Sequence, residues 1–276
     1  MNSFESNIIS IYGEKGKAWL YELPQLVTLI SSRLNLVDLK EVTNLTYNYV
    51  LSGFQGDDPI ILKLSLDNQG LKQEAFALKC FAGCGAVKVL FEDDGMLLLE
   101  RAVSGASVKS YFPDKEQESI KIACGVMKKL HQANIPEDHT FSHIKDWLTA
   151  LDNDWNIPKH YLQKARKLRD ELLQTSEVDV LLHGDLHHNN ILQNGDDWVV
   201  IDPKGVIGSP INEIWAFIID IERDVPFIAR YFDFKMQDVL DWYFIHIVLA
   251  ICWNLEDNVN SDLFFKLVAK AYQYVS

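Results

Sequence analysis

The periodicity of the apolar residues changes near residue 103, and this change constrains the fold more than any other feature of the chain. Before it, β-branched and aromatic runs are separated by turn residues such as GFQGDDP, which is typical of antiparallel hairpins. Strands are expected at about 39–53, 59–66, 86–91 and 96–101, and helices at about 14–33 and 69–80. The pattern over residues 1–102 therefore predicts a small lobe with an opening helix and an antiparallel sheet.

After residue 103 the apolar residues recur at three- and four-residue intervals, for example in 114–133, which is typical of helices that face a core. Further helices are expected at 141–152, 158–175, 211–221, 235–254 and 259–273, and two short strands at 189–192 and 198–202. The prediction is an α+β chain with an N-terminal lobe at 1–102 and a helical lobe at 103–276. A ligand is expected in the cleft between two such lobes.

The charge balance is acidic, with 39 Asp and Glu against 26 Lys and Arg and a formal net charge of −13. A nucleic-acid binder needs a basic surface that replaces condensed counterions, so this balance argues against a nucleic-acid partner. It suits a cationic small-molecule substrate, but an acidic surface that only keeps a protein soluble gives the same balance. The charge therefore supports a cationic substrate without deciding it.

Cysteine usage and the apolar runs bear on the compartment. The four cysteines form no repeated CxxC pattern, which predicts free thiols in a reducing environment. The first residues lack the basic and apolar regions of a signal peptide, and the longest apolar run, at 242–253, is too short to span a bilayer. We therefore expect a cytoplasmic protein, monomeric or dimeric, whose apolar run is a buried core helix.

The segment LLHGDLHHNNILQNGDDWVVIDPKG, 181–205, carries oxygen-bearing side chains at the spacing of a phosphoryl-transfer site. We expect Asp185 in a polar loop, Asn190 at the start of a strand, and Asp202 at the end of the next strand. Carboxylate and amide oxygens suit Mg²⁺, which also binds nucleotide phosphates. We therefore predict that Asp185 orients the substrate hydroxyl and accepts its proton, while Asn190 and Asp202 hold the metal.

Three histidines in the same segment, His183, His187 and His188, raise zinc as an alternative. Their spacing lacks the H-E-x-x-H pattern with its glutamate base. His183 is instead expected to brace the loop by hydrogen bonding. Asp202 considered alone also fits a turn before Pro203, but its combination with the other oxygen ligands favours a metal.

Lys63 is the single charge in the run PIILKLSL, 59–66. Its ammonium is predicted to bind the α- and β-phosphates of ATP, and Glu74 on the following helix is predicted to hold it by an ion pair. A lysine that extends along an exposed strand face is the alternative. The residues downstream that suit metal and base favour the nucleotide role.

The rest of the nucleotide site is predicted from position alone, because the chain has no Walker A motif. The turn TNLTYN, 43–48, takes the place of a phosphate-covering loop, and in it Thr46 and Asn48 can donate hydrogen bonds to phosphate. The backbone near Glu100 and Ala102, in the segment that joins the lobes, is expected to bind the adenine edge.

These residues resemble the aminoglycoside phosphotransferase superfamily, and within it the streptomycin 6-phosphotransferase and hydroxyurea phosphotransferase group. The superfamily signature HGDLHxxNIL with a strand-end Asp is matched by HGDLHHNNIL and Asp202. The narrower group is marked by WVVIDPKGVIG, 198–208, and more weakly by YNYV, by GAVKVL followed by LLLER, and by W-x-L-E-D at 253–257. The resemblance covers about residues 20–260.

The resemblance implies a bilobal protein-kinase-like fold, ATP and Mg²⁺ as cofactors, and O-phosphorylation of an aminoglycoside-like or other small hydroxylated molecule. It also implies substrate contacts at Trp253, Glu256 and Asp257. Lys204, two residues after the predicted metal ligand Asp202, is expected to reach the γ-phosphate or a nearby carboxylate, which makes it a further candidate catalytic residue.

The chain departs from the group where the usual GDPxxDLA is replaced by GSPINEIW, 208–215. Ser209 and Glu213 stand where the group has aspartates. The predicted metal ligands are unchanged, so the departure bears on the packing behind the site and on the substrate.

The leading hypothesis is a kinase of the streptomycin 6-kinase type. The alternatives are a metabolic kinase for a sugar or an amino alcohol and a nucleotide-binding regulator without catalysis. A substrate screen separates the first two, and the intact candidate residues Lys63, Asp185, Asn190 and Asp202 argue against the third. A protein kinase is disfavoured because no long segment after Asp202 resembles an activation loop that ends in APE.

Overall fold

The structure is a computed structural model that describes residues 3–43, 45–175 and 178–275. The described part divides into two compact units, the first formed by 1–106 with 192–204 and the second by 107–191 with 205–276. The predicted lobe boundary between residues 102 and 103 stays a prediction.

The described residues form eight α-helices and eleven strands. The helices are α1 Ser3–Leu34, α2 Asn68–Cys80, α3 Glu116–Leu130, α4 Ile144–Leu148, α5 Lys159–Leu172, α6 Ile221–Phe232, α7 Met236–Glu256 and α8 Asp262–Ala271. The strands are β1 Leu36–Glu41, β2 Tyr49–Gln55, β3 Asp58–Leu64, β4 Val89–Asp93, β5 Met96–Glu100, β6 Ser104–Ser107, β7 Ser142–His143, β8 Val180–Leu182, β9 Ile191–Asn194, β10 Asp197–Val200 and β11 Val206–Gly208.

The first unit is built on a five-stranded antiparallel sheet in the order β1-β2-β3-β5-β4. The predicted hairpin joins β2 and β3, with Gly56 at φ +63° in a two-residue turn that favours glycine. Because successive strand side chains point to opposite faces, Leu62 and Leu64 enter the core beneath α1, while Ile61 faces the cluster beneath α2. Lys63 alternates with Leu62 and Leu64 and so shares the face of Ile61.

Helix α1 begins earlier than the expected 14–33. It runs over 32 residues and is broken at Gly13, which has φ +57° and ψ −130°. Buried residues on both sides of the break, among them Ile8 and Ile30, pack into the same core as strand β3. One helical prediction thus becomes two helical segments that cover one face of the sheet.

The second unit is organised around α7, which packs against α5 and α8. By length and composition, α7 is the one described helix that could cross a membrane, but 72% of its most apolar window is buried inside the structure. This agrees with the expected core helix at 242–253. The same unit holds a small sheet in the order β7-β11-β8, whose strand β8 leads into the segment that contains Asp185.

The helix predicted at 211–221 is wrong. Residues 210–213 and 215–217 form two short 3-10 turns, and α6 begins only at Ile221, capped by the Asp220 side chain, which accepts a hydrogen bond from Arg223 N (3.1 Å). The apolar residues here recur every three or four positions, and a three-residue repeat fits a 3-10 turn as well as an α-helix. Helix α6 itself was missed; it contains Pro226, which ordinarily disfavours a helix interior.

Candidate active site

Lys63 of β3 is buried, with 4% of its surface exposed, and lies in an ion-pair cluster within the first unit. Its Nζ donates hydrogen bonds to Glu74 Oε1 (2.7 Å), Glu74 Oε2 (2.8 Å) and Asp202 Oδ1 (2.7 Å). The alternative of a lysine on an exposed strand face is therefore excluded.

Glu74 meets Lys63 because of where α2 starts and which face it buries. The Asp67 side chain caps the helix by accepting a hydrogen bond from Gly70 N (2.9 Å). Three residues before Glu74 and four after it, Leu71 and Leu78 are buried against the sheet. The helical repeat places Glu74 on this face, where it is 8% exposed.

The cluster has more negative than positive groups. Burial disfavours the ammonium of Lys63, but the charges of Asp202 and Glu74 outweigh burial and raise its pKa. Burial also raises the pKa of Glu74, which the Lys63 charge opposes. Two carboxylates share one ammonium, and the Asp202 side chain is 46% exposed. A further cation beside Asp202 would therefore be favoured.

A cavity of about 580 Å³ opens beside this cluster within the first unit. That volume lies in the range of about 300–1,000 Å³ that is usual for small-molecule sites. The cavity brings together the predicted nucleotide-binding residues Thr46, Asn48, Glu100 and Ala102 with Lys63 and Asp202. Residue 44 of the predicted phosphate-covering turn lies outside the described residues.

Lys204 is exposed at the end of the same segment, and its carbonyl oxygen accepts a hydrogen bond from Gln73 Nε2 (3.0 Å). Burial raises the pKa of Glu74, and the charge of Lys204 opposes that rise. A contact of Lys204 with the γ-phosphate stays a prediction.

The loop that carries Asp185 lies in the second unit and is held through its backbone. His183 N and Gly184 N donate to the Glu213 carboxylate at 2.6 and 3.2 Å. Asp185 N donates to His183 Nδ1 (3.2 Å), which is the bracing contact expected of that histidine. Asn190 Nδ2 donates to the Asp185 carbonyl oxygen (2.9 Å). These contacts fix the loop while the Asp185 side chain remains 49% exposed.

The other two histidines of the segment also have structural contacts. His188 packs between Phe112 and Phe217, with ring centroids 4.7 and 4.6 Å away, and burial lowers the pKa of His188 to about 4. His187 Nδ1 accepts a hydrogen bond from Asn189 N (3.2 Å). Within the described ranges, no group of three or more His, Cys, Asp or Glu is arranged to hold a metal ion.

Glu213 is the positioning residue that sequence reasoning did not assign. It is 4% exposed, and burial raises the pKa of Glu213 to about 7 although two N–H groups favour its charged form. His131 Nε2 lies 4.0 Å from it, and burial lowers the pKa of His131 to about 4. The segment GSPINEIW, 208–215, contains the sequence signal for this role, because Glu213 is its single charged residue. In the structure, the Glu213 carboxylate accepts hydrogen bonds from the backbone of the loop that carries Asp185.

A second cavity, of about 240 Å³, lies within the second unit and is lined by Asp185 and by the predicted substrate residue Trp253. The other two predicted substrate residues, Glu256 and Asp257, are exposed at the C-terminal end of α7 and lie outside the cavity lining. The structure therefore brings one of the three beside Asp185.

A family model described as aminoglycoside/hydroxyurea antibiotic resistance kinase matches residues 49–257, more than half of the chain. The chain belongs to this family. The kinase is 25% identical over 274 residues to streptomycin 6-kinase from Streptomyces glaucescens, covering 89% of this chain and 87% of that protein. It is therefore a member of the aminoglycoside phosphotransferase superfamily and an O-phosphotransferase with an alcohol group as acceptor.

Solved structures agree on the fold. A choline/ethanolamine kinase family protein from Mesorhizobium loti superposes with a TM-score of 0.66 at 17% identity, covering 90% of this kinase and 94% of that chain. A thermostable mutant of aminoglycoside phosphotransferase APH(4)-Ia, in ternary complex with ADP and hygromycin B, superposes with a TM-score of 0.65 at 15% identity, covering 88% and 94%. The predicted protein-kinase-like fold, with an antiparallel sheet in the N-terminal part and a helical remainder, is confirmed.

Glu213→Gln is expected to change how the stability of the kinase depends on pH. The pKa of Glu213 is about 7 in the folded protein against 4.5 for an unperturbed glutamate. As pH rises through this interval, the unfolded chain releases the proton first. The free energy of unfolding of the wild type therefore falls by up to roughly 3 kcal/mol. The variant has no such proton, so its stability relative to wild type should rise between pH 5 and 8.

Urea unfolding at pH 5, 6, 7 and 8 measures this difference. Glu171→Gln is the matched control, because Glu171 is 57% exposed and pairs with the surface residue Lys167 at 3.6 Å. Its difference from wild type should stay nearly constant over the same pH range. A constant difference for Glu213→Gln as well would contradict the raised pKa of Glu213.

Proposed function

We propose that this kinase transfers the γ-phosphoryl group of ATP, with Mg²⁺, to a hydroxyl of an aminoglycoside-like small molecule. The observation that carries the proposal is the cluster of Lys63, Glu74 and Asp202 beside a cavity of about 580 Å³. The family match and the streptomycin 6-kinase relative support it. ADP in the solved APH(4)-Ia complex supports an adenine nucleotide.

The nucleotide would bind in the cavity of the first unit. Lys63, held by Glu74, would pair with its phosphates. Thr46 and Asn48 line the same cavity and would donate hydrogen bonds to phosphate oxygens, while the backbone at Glu100 and Ala102 would bind the adenine edge. Lys204 would neutralise part of the γ-phosphate charge.

Asp202 and Asn190 are the residues that would hold Mg²⁺. Asp202 has a half-exposed carboxylate in a cluster with one excess negative charge, and Asn190 has its Nδ2 engaged by the Asp185 carbonyl oxygen, so its Oδ1 remains as the ligating atom. Both atoms are hard oxygens, which is the donor type that Mg²⁺ prefers. Bound Mg²⁺ supplies neutralisation of phosphate charge.

Asp185 would act on the acceptor. Its carboxylate would accept a hydrogen bond from the substrate hydroxyl and take its proton as that oxygen bonds to the γ-phosphorus and the bond to the β,γ-bridging oxygen breaks. Trp253, Glu256 and Asp257 would contact the remainder of the substrate.

A coupled assay of ADP release over aminoglycosides, hydroxyurea and small alcohols tests the proposal. We expect release that depends on streptomycin and yields one phosphorylated product per ADP. Turnover with another alcohol but not with streptomycin would replace the antibiotic assignment by a metabolic kinase. Nucleotide binding without turnover on any acceptor would leave only a nucleotide-binding regulator.

A further inference from the structure

The connector is the segment 100–103, which leads from the last residue of β5 to the start of β6. It provides the backbone that is proposed to bind the adenine edge. Glu100 N donates a hydrogen bond to the Lys88 carbonyl oxygen (2.9 Å). Arg101 N donates one to the Pro59 carbonyl oxygen (3.0 Å). These backbone bonds attach the first end of the connector to β3 and to the residue before β4.

The last residue of the connector is tied to the end of β9 by the side chain of Asn194. Asn194 Oδ1 accepts a hydrogen bond from Val103 N (3.1 Å), and Asn194 Nδ2 donates one to Glu100 Oε1 (3.2 Å). The next residue adds a backbone contact, because Gly195 N donates to the Val103 carbonyl oxygen. One half-buried amide thus bridges the first and the last residue of the connector, within the first unit.

An amide suits these two partners because they have opposite needs. The carboxylate of Glu100 only accepts hydrogen bonds at neutral pH, and the N–H of Val103 only donates one. The bridging side chain must therefore offer one donor and one acceptor, which an asparagine does and an aspartate does not. The two partners also fix the orientation of the Asn194 amide, with its nitrogen towards the carboxylate.

Ala102 lies between the two ends that are held in this way, and it lines the cavity of about 580 Å³. It is 7% exposed, and within the described ranges its N–H has no hydrogen-bond acceptor. A buried N–H without an acceptor costs free energy, so this position favours a ligand that brings one. The Watson–Crick edge of adenine carries such an acceptor.

We propose that Asn194 is a positioning residue for the nucleotide, which fixes the connector so that the N–H of Ala102 meets the adenine edge without rearrangement of the backbone. The inference rests on the proposed function, in which this cavity binds ATP. A segment that is ordered before binding loses less conformational entropy when the ligand arrives. Asn194 is outside the lining of both cavities, so it acts through the connector.

Asn194→Ala removes both side-chain bonds to the connector. Adenosine and AMP-PNP should each bind roughly 10-fold more weakly, because the variant loses the net effect of about one hydrogen bond. Tripolyphosphate, which has no base, should bind as it does to wild type. The KM for ATP should rise while kcat at saturating ATP stays unchanged. Calorimetry on the full chain measures the three affinities, and unchanged adenosine affinity would refute the proposal.

Asn68→Ala is the matched control, because it removes the same two kinds of bond elsewhere in the first unit. Asn68 Nδ2 donates to Asp94 Oδ1 (3.0 Å), and Asn68 Oδ1 accepts from Gly95 N (3.0 Å). None of these three residues lines the cavity. Urea unfolding should show similar losses of stability in Asn68→Ala and Asn194→Ala, but adenosine should bind Asn68→Ala as it binds wild type. An equal loss of adenosine affinity in both variants would indicate general loosening and overturn the proposal.

An inverted pair tests whether the bridge itself is responsible. Asn194→Asp places a second carboxylate beside that of Glu100 and should weaken adenosine binding at least as much as Asn194→Ala. Adding Glu100→Gln supplies an amide that can donate to the new carboxylate, while Val103 N keeps its acceptor. Adenosine affinity in the double variant should return to within ~3-fold of wild type. Affinity that stays as low as in Asn194→Asp would contradict the assigned bridge.

ADP release judges the proposed function separately. Turnover with the same KM for ATP in Asn194→Ala and wild type would defeat the inference while the phosphotransfer proposal stands. A loss of adenosine affinity confined to the Asn194 variants, without ADP release on any acceptor, would defeat the phosphotransfer proposal and support the role of Asn194. If wild type binds neither adenosine nor AMP-PNP, both proposals fail.

Discussion

Asp185→Ala is expected to lower kcat by a factor on the order of 10²–10⁴, the usual contribution of a general base. The nucleotide should still bind, because the cavity lined by Lys63 and Asp202 does not include Asp185. The fold should also persist, because the loop is held through backbone atoms of Asp185 and its neighbours. ADP release measures kcat, and calorimetry with AMP-PNP measures nucleotide affinity.

The control for this experiment is Asp196→Ala. Asp196 is an exposed carboxylate in the turn between β9 and β10, so the variant removes an acid without touching either cavity. Its kcat should equal that of wild type. Wild-type activity in Asp185→Ala would show that another group takes the proton, and a parallel loss of AMP-PNP affinity would show that the variant is misfolded or that Asp185 contributes to nucleotide binding.

The arrangement of the first unit could be predicted from sequence because local rules decide it. Strand alternation separates Lys63 from Leu62 and Leu64, and the three- to four-residue repeat of α2 places Glu74 on the buried face. Each rule uses only neighbours in sequence. The ion pair between them then follows from two faces that must pack together.

The second unit could be predicted less well because its contacts depend on distant residues. Glu213 lies about 30 positions along the chain from the backbone N–H groups that donate hydrogen bonds to its carboxylate. The sequence around Glu213 does not indicate these distant partners. Helix α7 is apolar nearly all round, so its periodicity does not reveal that His246 and Trp253 line a cavity. Trp147 and Trp215 join them from other elements of the fold, and only the folded chain shows the four together.

Lys63→Met is expected to destabilise the kinase by about 3–5 kcal/mol, because it leaves a buried carboxylate without its partner. Glu74 is 8% exposed and would lose both of its hydrogen bonds to the ammonium. Affinity for AMP-PNP should also fall by roughly 10- to 100-fold, because the variant loses a charge-assisted hydrogen bond to phosphate. Urea unfolding gives the first quantity and calorimetry the second.

The double variant Lys63→Met/Glu74→Leu separates stability from binding. It removes both buried charges and leaves Asp202, whose side chain is 46% exposed and therefore solvated. Stability should return to within about 2 kcal/mol of wild type, since replacing a whole buried pair by apolar groups is often nearly neutral. AMP-PNP affinity should remain low. If the stability changes of Lys63→Met and Glu74→Leu add up to that of the double variant, Lys63 and Glu74 are not energetically coupled. If AMP-PNP affinity returns with stability in the double variant, Lys63 does not bind phosphate.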